Sequence, residues 1–265
     1  MKKTALITGA SKGIGEALAR LFAENGHDLV LVARGGEILH QLKRELEEKQ
    51  RSNVHVIVKD LCLPEAAREV FHEVKEAGIE VDYLVNNAGF GDWGPFVDKP
   101  WERYERMIAL NVTALTHLTH LYTREWKERK SGRILNISST AAFQPGPMMA
   151  VYFATKSFVL QLSEALNHEL KKEGITVTVL CPGPTSTYFG EESGMKASRL
   201  VKNVKIASAR SVAKLGYNAM MKGKPVAIHG TMNKLAPFAI RFLPRRWVTR
   251  VSARVMQLPK KKGEK

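Results

Sequence analysis

Seven short runs rich in β-branched residues alternate with longer helical patterns along the chain. The runs lie at residues 3–8, 28–33, 54–60, 81–87, 132–138, 175–181 and 225–230. Several of them are apolar nearly throughout, which is typical of parallel strands covered by helices on both faces. The helical patterns lie between them, at residues 13–25, 36–50, 64–77, 101–129, 151–173 and 208–222. The alternation predicts an α/β fold, a doubly wound parallel sheet of about seven strands with helices on both faces.

The distribution of charge separates the end of the chain from the rest. The chain carries 41 Lys and Arg against 26 Asp and Glu, a net charge of +15. From residue 231 onward there are ten basic residues and one acid, so the last 35 residues carry +9 and the first 230 carry +6. No repeat or low-complexity linker interrupts the first part. We therefore predict one domain over residues 1–230, followed by a basic amphipathic extension over residues 231–265.

Cysteine usage and hydropathy indicate the compartment. The two cysteines, Cys62 and Cys181, cannot form a disulfide framework, and neither has the spacing of a metal site. We expect both to be small buried hydrophobic residues. No stretch approaches the roughly 20 apolar residues of a membrane span, and the apolar run after the first lysines is too short for a signal peptide. The expected location is therefore cytoplasmic, and no bound metal is expected.

The stretch TGASKGIG, residues 8–15, lies between the first predicted strand and the first predicted helix. Its glycines Gly9, Gly13 and Gly15 allow a tight turn, and they let a pyrophosphate approach the backbone at the helix N-terminus. A βα turn with a purely structural role is the alternative. The position between strand and helix favours the nucleotide interpretation, with Ser11, Lys12 and Ile14 as further contacts.

The end of the second strand indicates which nucleotide is bound. Sites specific for NAD usually place an acid there, where it binds the ribose hydroxyls. Here the strand ends in Ala33 and Arg34, and Lys12 stands in the glycine loop. Two cations and no acid favour a 2′-phosphate, and hence NADP(H). The alternative is that both cations are solvated surface residues.

A tyrosine and a lysine stand four residues apart near the start of a long amphipathic helical pattern. On a helix this spacing places Tyr152 and Lys156 on one face, one turn apart. One interpretation is that both side chains are solvated on the first turn of the helix and have no catalytic role. The sharper one is that the cation lowers the pKa of the phenol and makes it a usable proton donor near neutral pH.

Six motifs in order resemble the short-chain dehydrogenase/reductase family. They are TGASKGIG at residues 8–15, NNAG at 86–89, LNV with Asn111, NISS ending in Ser139, the Tyr152/Lys156 pair, and CPGPTST at 181–187. The matches cover residues 4 to about 230. Within the family, the stretch from Phe158 to Thr185 is most similar to bacterial DltE-like oxidoreductases.

The resemblance implies a Rossmann-like catalytic domain and a set of residue roles. It implies that Asn111, Ser139, Tyr152 and Lys156 are catalytic, with Ser139 orienting the substrate oxygen and Asn111 holding a water that links Lys156 to solvent. Besides the glycine loop and Arg34, it implies the following cofactor contacts: Asp60 and Leu61 at the adenine, Asn87 and Ala88 at the ribose, Tyr152 and Lys156 at the nicotinamide end, and Pro182, Gly183, Thr185 and Thr187 around the carboxamide.

The predicted activity is hydride transfer between NADP(H) and a ketone or aldehyde, with Tyr152 as acid and base. A 3-oxoacyl-thioester reductase is the close alternative, and a non-catalytic regulator that senses NADP(H) is an alternative of another class. We expect an apolar, roomy substrate cleft bordered by the segments 89–96 and 189–201. Its expected wall residues are Phe90, Trp93, Phe96, Phe143, Met148, Met149 and Phe189.

The predicted partners are a small carbonyl or alcohol substrate and a second or further copies of the chain. The family commonly pairs two long helices, which correspond here to residues 101–129 and 151–173, so we expect a homodimer or homotetramer. Nucleic acid is not expected, because net charge is the sole indication of it.

In the basic extension, Trp247, Val251 and Val255 repeat every four residues beside Arg246 and Arg250. This pattern indicates either a helix that packs on its own domain or on a partner subunit and covers the substrate cleft, or a weak peripheral membrane contact.

Overall fold

The computed structural model describes residues 2–186 and 206–256. Seven parallel strands form the central sheet in the order β3-β2-β1-β4-β5-β6-β9. They are β1 Thr4–Thr8, β2 Asp28–Ala33, β3 Val54–Val58, β4 Tyr83–Asn86, β5 Gly132–Ile137, β6 Ile175–Cys181 and β9 Val226–Ile228. Two short strands, β7 Thr185–Ser186 and β8 Ala207–Ser208, pair apart from it. Each of the seven predicted runs contains one strand of the sheet, so the predicted doubly wound fold is confirmed.

Helices follow the strands as the periodicity predicts. They are α1 Gly13–Glu24, α2 Gly36–Gln50, α3 Ala66–Glu76, α4 Trp101–Ile108, α5 Leu115–Arg129, α6 Ala150–Leu170, α7 Ala209–Met221, α8 Thr231–Ile240 and α9 Arg245–Met256. A π-helical turn, Ala109–Ala114, joins α4 to α5, so the predicted helix over 101–129 is continuous but locally widened. Such turns occur frequently at functional sites, and this one carries Asn111.

The core consists of two apolar layers, one on each face of the sheet. On one face Leu18 and Phe22 of α1 pack with Leu39 of α2 and Val212 of α7. On the other face α3 and α5 contribute the following side chains: Val70, Val74, Leu118, Tyr122 and Trp126. Because both faces are covered, polar groups are accommodated mainly at the strand ends, where the loops of the site begin.

The C-terminal region is helical through two elements, α8 and α9. The sequence pattern predicts a helix from Arg245, and α9 begins there. It does not predict α8, which contains Pro237. Within the described ranges, no helix is long and apolar enough to cross a membrane.

Candidate active site

A cavity of about 1320 Å³ opens at the carboxyl edge of the sheet. It brings together most of the residues that the sequence motifs single out. The predicted site residues that line it are Gly9, Ser11, Lys12, Gly13, Ile14, Arg34, Asp60, Leu61, Asn87, Ala88, Ser139, Tyr152, Lys156, Pro182, Gly183 and Thr185. Gly15 and Asn111 lie behind the wall, and Thr187 lies outside the described residues.

The glycine loop forms a shallow backbone cradle at the start of α1. Gly9 and Gly13 have φ values of +64° and +61°, which L side chains rarely adopt. A Cβ on Gly15 would lie 2.2 Å from the carbonyl oxygen of Gly9, so the loop and helix can pack this closely only with glycine there. No side chain caps the first turn of α1. Its N–H groups and the positive end of the helix dipole therefore form a suitable site for an anion.

Thr8 joins the glycine loop to the loop that follows β4. Its hydroxyl oxygen accepts from the N–H groups of Asn87 and Ala88, both at 3.0 Å. The Asn87 amide nitrogen donates to the carbonyls of Thr8 at 2.9 Å and Gly9 at 3.1 Å. Asn87 lines the cavity, but its side-chain amide hydrogens are used to hold the glycine loop. Thr8 is a structural residue of the site that we did not single out from the sequence, although it directly precedes the first glycine.

Lys156 and Tyr152 lie at the inner end of the cavity, on the first turns of α6. The Lys156 ammonium donates to the carbonyl of Ile137 at 2.9 Å and lies 5.8 Å from the centroid of the Tyr152 ring. The hydroxyl of Ser138 donates to the Lys156 carbonyl at 2.7 Å, so β5 and α6 are joined on both sides of the lysine. Ser139 follows β5, and its oxygen accepts from the N–H of Ala141 at 3.1 Å.

Burial sets the pKa values of this pair. It raises the pKa of Tyr152 to about 12, and the hydrogen bond with Ser139 opposes this only in part. The same burial lowers the pKa of Lys156 to about 8. The predicted net lowering of the Tyr152 pKa is therefore wrong, because the loss of solvent around the phenol outweighs the groups that favour its phenolate. Tyr152 is protonated at neutral pH, the form that a proton donor needs.

Asn111 is buried in the π-helical turn. Its amide nitrogen donates to the carbonyl of Phe90 at 2.9 Å and to the hydroxyl of Thr155 at 3.1 Å, and its side-chain oxygen accepts from the Phe90 N–H at 3.1 Å. Both amide hydrogens are thus used within the protein. The Asn111 side chain therefore has no amide hydrogen left to donate to a water, and a water at this position would have to donate to a carbonyl oxygen.

The adenine end of the predicted site contains an ion pair that the sequence motifs do not reveal. Arg106 of α4 donates to the carboxylate of Asp60 at 2.8 Å. Burial favours the neutral acid, but the bonds from Arg106 and from the Cys62 N–H outweigh it and lower the pKa of Asp60. Arg106 also lines the cavity. The one sequence signal for it is a basic residue one helical turn before Leu110 of the LNV motif.

Cys62 departs from its predicted position. It is half-buried and lines the cavity, whereas Cys181 is fully buried as expected. Burial raises the pKa of the Cys62 thiol to about 11. The thiol therefore stays protonated at neutral pH and has little nucleophilic character.

The substrate end of the cavity is apolar, but its wall differs from the predicted one. Phe90, Phe143 and Met149 line it as predicted. Phe96 does not, because it is exposed and stacks on Tyr104 with ring centroids 5.0 Å apart. The last helix also contributes to the wall, through Ser252, Val255 and Met256. This agrees with the interpretation in which the C-terminal extension covers the substrate cleft. Phe189 and the rest of the predicted border segment 189–201 lie outside the described residues. Among the described residues, Pro237 and Ile240 of α8 also line this wall.

Residues 3–197 match the family model described as short chain dehydrogenase. The chain belongs to the short-chain dehydrogenase family. The predicted family and the predicted enzyme class, an oxidoreductase acting on carbonyl and alcohol groups, are thereby confirmed. The similarity to DltE-like members stays a prediction.

Two similar family members are named for different substrates, and a solved one is in complex with NADPH. The chain is 34% identical over 211 residues to 17-beta-hydroxysteroid dehydrogenase type 3 of Mus musculus, and the alignment covers 76% of this chain and 68% of that protein. It is 33% identical over 184 residues to the very-long-chain 3-oxoacyl-CoA reductase of Homo sapiens, over 67% of this chain and 58% of that protein. A solved short-chain dehydrogenase of Sphingobium yanoikuyae in complex with NADPH is 35% identical, with a TM-score of 0.81, covering 90% of this chain and 93% of that chain.

Proposed function

We propose that this protein is an NADP(H)-dependent oxidoreductase that interconverts a ketone or aldehyde and an alcohol, with Tyr152 as proton donor and acceptor. One observation carries the proposal. Ser139, Tyr152 and Lys156 line the same cavity as the glycine loop, and Tyr152 and Lys156 are buried in its wall. The similarity to the NADPH complex from Sphingobium yanoikuyae supports the cofactor.

The residues present fit a dinucleotide. The glycine cradle at the N-terminus of α1 suits the pyrophosphate, with Ser11 and Ile14 beside it. Lys12 and Arg34 line the cavity and would bind a 2′-phosphate, and the three residues after β2 include no acid. Asp60 and Leu61 would contact the adenine. The remaining proposed cofactor contacts are Asn87, Ala88, Pro182, Gly183, Thr185 and Thr187.

The chain's own residues supply the proton and the orientation. When bound, the nicotinamide supplies the hydride in reduction and accepts it in oxidation. Ser139 would donate a hydrogen bond to the substrate oxygen and hold the carbonyl carbon in line for transfer. Tyr152 would give its phenolic proton to that oxygen, which completes the alcohol and leaves a phenolate. Lys156, mostly protonated at pH 7 with its pKa of about 8, stabilises the phenolate and helps return the proton.

A 3-oxoacyl-thioester reductase is the second candidate. It is favoured by the similarity to the very-long-chain 3-oxoacyl-CoA reductase and by the apolar substrate end of the cavity. The test is a panel of ketones, aldehydes and 3-oxoacyl thioesters, with oxidation of NADPH followed by absorbance. Turnover of thioesters at a kcat/KM well above that of simple ketones identifies the second candidate. Turnover of neither class, with NADPH bound, contradicts both.

We also propose a homo-oligomer, a cytoplasmic location and a weak contact with anionic membranes. The first is supported by apolar side chains left exposed on the helices that the family pairs, Ile108 of α4 and Phe158 of α6. The second is supported by two cysteines that are both free. The third is supported by the basic and apolar side chains exposed on the last two helices.

A further inference from the structure

Residues 231–256, which we call the C-terminal surface, combine cations with exposed apolar side chains. The segment holds six basic residues and no acid: Lys234, Arg241, Arg245, Arg246, Arg250 and Arg254. Its exposed apolar side chains are Leu235, Phe238, Phe242, Leu243, Trp247, Val251 and Val255. So many large apolar groups, this close together on a surface, indicate an interaction site.

Helix α9 has an inner stripe and an outer stripe that differ in exposure. The inner one consists of Val248, Ser252 and Met256, which are buried against the domain. The indole N–H of Trp93 donates to the Met256 carbonyl at 3.0 Å and holds the end of the helix in place. The outer stripe begins with Trp247 and Val251, which stay 63% and 57% exposed. Packing on the domain therefore does not account for the stripe that the sequence pattern shows.

The same helices form part of the cavity wall. Pro237 and Ile240 of α8 and Val255 and Met256 of α9 line the cavity, together with Phe153 of α6. Phe242, in the turn between α8 and α9, is 73% exposed. A substrate that enters beside α8 and α9 therefore passes from the exposed apolar side chains of the C-terminal surface to the apolar end of the cavity.

The charge of the C-terminal surface distinguishes between two occupants. A symmetric contact with a second copy would place the same patch on both sides, and six cations would then face six cations without an acid between them. Like charges brought together in an interface are unfavourable. An anionic bilayer offers the opposite charge, and its interface accepts the aromatic and aliphatic side chains.

We propose that the C-terminal surface docks on anionic lipid and that the cavity takes a lipophilic ketone or alcohol directly from the bilayer. The docking follows from the surface alone, whereas the substrate class rests on the proposed function. In this arrangement α9 serves both purposes. Ser252, Val255 and Met256 close the cavity, and Trp247 and Val251 enter the lipid interface.

Sedimentation of the full-length protein with vesicles tests the docking without any activity. Vesicles of phosphatidylcholine with phosphatidylglycerol are compared with pure phosphatidylcholine, at low and high salt. We expect binding to the anionic vesicles that is lost at high salt. Equal binding to both kinds of vesicle, or binding to neither, would overturn the proposal.

Two variants with matched controls locate the contact. Phe242→Ser with Trp247→Ser should weaken binding about tenfold or more, since both side chains would enter the interface. Val97→Ser with Trp101→Ser removes apolar side chains that are similarly exposed elsewhere and should change nothing. Vesicle affinity should fall about 100-fold in a triple variant with Arg246→Gln, Arg250→Gln and Arg254→Gln. The control makes the same change in net charge elsewhere, with Lys171→Gln, Lys172→Gln and Lys214→Gln, and its affinity should fall far less. Equal losses in variant and control contradict the assignment.

Activity and mass measurements complete the test. With tetradecan-2-one in anionic vesicles, the Phe242/Trp247 variant should lose about tenfold in kcat/KM, and it should keep its activity on water-soluble cyclohexanone. Equal loss on both ketones overturns the delivery route. Failure of the wild-type protein to reduce any ketone contradicts the proposed function but leaves the vesicle result standing. If light scattering shows that the same variant dissociates an oligomer while the wild-type protein ignores vesicles, the surface is a subunit interface instead.

Discussion

The side-chain amide of Asn111 forms two hydrogen bonds with the backbone of Phe90. The Asn111 amide donates to the Phe90 carbonyl at 2.9 Å, and its side-chain oxygen accepts from the Phe90 N–H at 3.1 Å. This pair holds the loop after β4 against the π-helical turn. A Cβ on the neighbouring Gly89 would come within 2.9 Å of the Asn111 oxygen and 3.3 Å of the Lys156 ammonium. The loop, the turn and the proposed catalytic lysine thus pack as one unit.

Replacement of Tyr152 by Phe should lower kcat by about 10²- to 10⁴-fold, the usual contribution of a general acid. Binding of NADPH, measured by fluorescence titration, should not change, because the ring stays in place. Tyr104→Phe removes a phenol whose hydroxyl donates to the Phe96 carbonyl outside the site and is the control. A Tyr152→Phe enzyme with nearly full activity would show that another group supplies the proton.

Replacement of Lys156 by Met should abolish activity and yet stabilise the fold. At pH 7 the folded protein holds a buried ammonium whose pKa is about 8 instead of 10.5, a cost of roughly 3 kcal/mol. Methionine removes that cost but leaves the Ile137 carbonyl without its donor, at about 1 kcal/mol. We therefore expect the free energy of unfolding to rise by about 1–2 kcal/mol, measured by urea denaturation at pH 7.

The gain from Lys156→Met should shrink as the pH rises from about 8 to about 10.5. In that window the folded wild-type protein has released the lysine proton and the unfolded chain still binds it, so the wild-type protein gains stability with pH. The exposed Lys214→Met is the control and should show no such trend. A constant difference between Lys156→Met and wild type from pH 7 to about pH 10 would contradict the lowered pKa of Lys156.

Replacement of Arg34 by Asp should reduce or reverse the preference for NADP(H) over NAD(H). The carboxylate would repel the 2′-phosphate and could bind the ribose hydroxyls instead. The measurement is kcat/KM with each cofactor, and Arg44→Asp on the exposed side of α2 is the control. Equal kcat/KM values for the two cofactors in the wild-type enzyme would contradict the assignment of Lys12 and Arg34.

Replacement of Gly15 by Ala should lower both the free energy of unfolding and the affinity for the cofactor. Its Cβ would lie 2.2 Å from the Gly9 oxygen and 2.4 Å from the Asn87 amide nitrogen, so the loop must shift. Such overpacking costs about 1–3 kcal/mol, and the displaced loop should bind NADPH less tightly. At Gly35, which lines the same cavity, the nearest atom to a Cβ is 3.7 Å away. Gly35→Ala should therefore be tolerated, and equal effects of the two variants would argue against the cradle.

Replacement of Phe158 by Glu should yield a smaller assembly in light scattering. This side chain is 41% exposed on α6, one of the two helices that the proposed oligomer pairs, and a charge there would be buried without a partner. Val97→Glu, at a site that is 86% exposed, should leave the mass unchanged. A wild-type protein that is already a monomer at working concentration rules out the proposed oligomer.

The sequence by itself determined the order of the elements and the position of each motif. When apolar strands alternate with amphipathic helices along a chain, the helices cover both faces of a parallel sheet. The carboxyl ends of parallel strands then lie at one edge of that sheet. Gly9, Ser139 and Tyr152 therefore had to meet there, although they are far apart along the chain. Local spacing also placed Tyr152 and Lys156 on one helical face.

Tertiary structure alone decided the quantities that depend on burial and on distant partners. The sequence predicted that Lys156 lowers the pKa of Tyr152, whereas burial raises it, because loss of solvent is a property of the surroundings and not of the spacing. Arg106 meets Asp60 across 46 positions, which no local pattern reveals. In α9 apolar side chains lie on two neighbouring stripes one residue apart. Only packing against Trp93 and the cavity decides that Val248 and Met256 face inward and Trp247 faces outward.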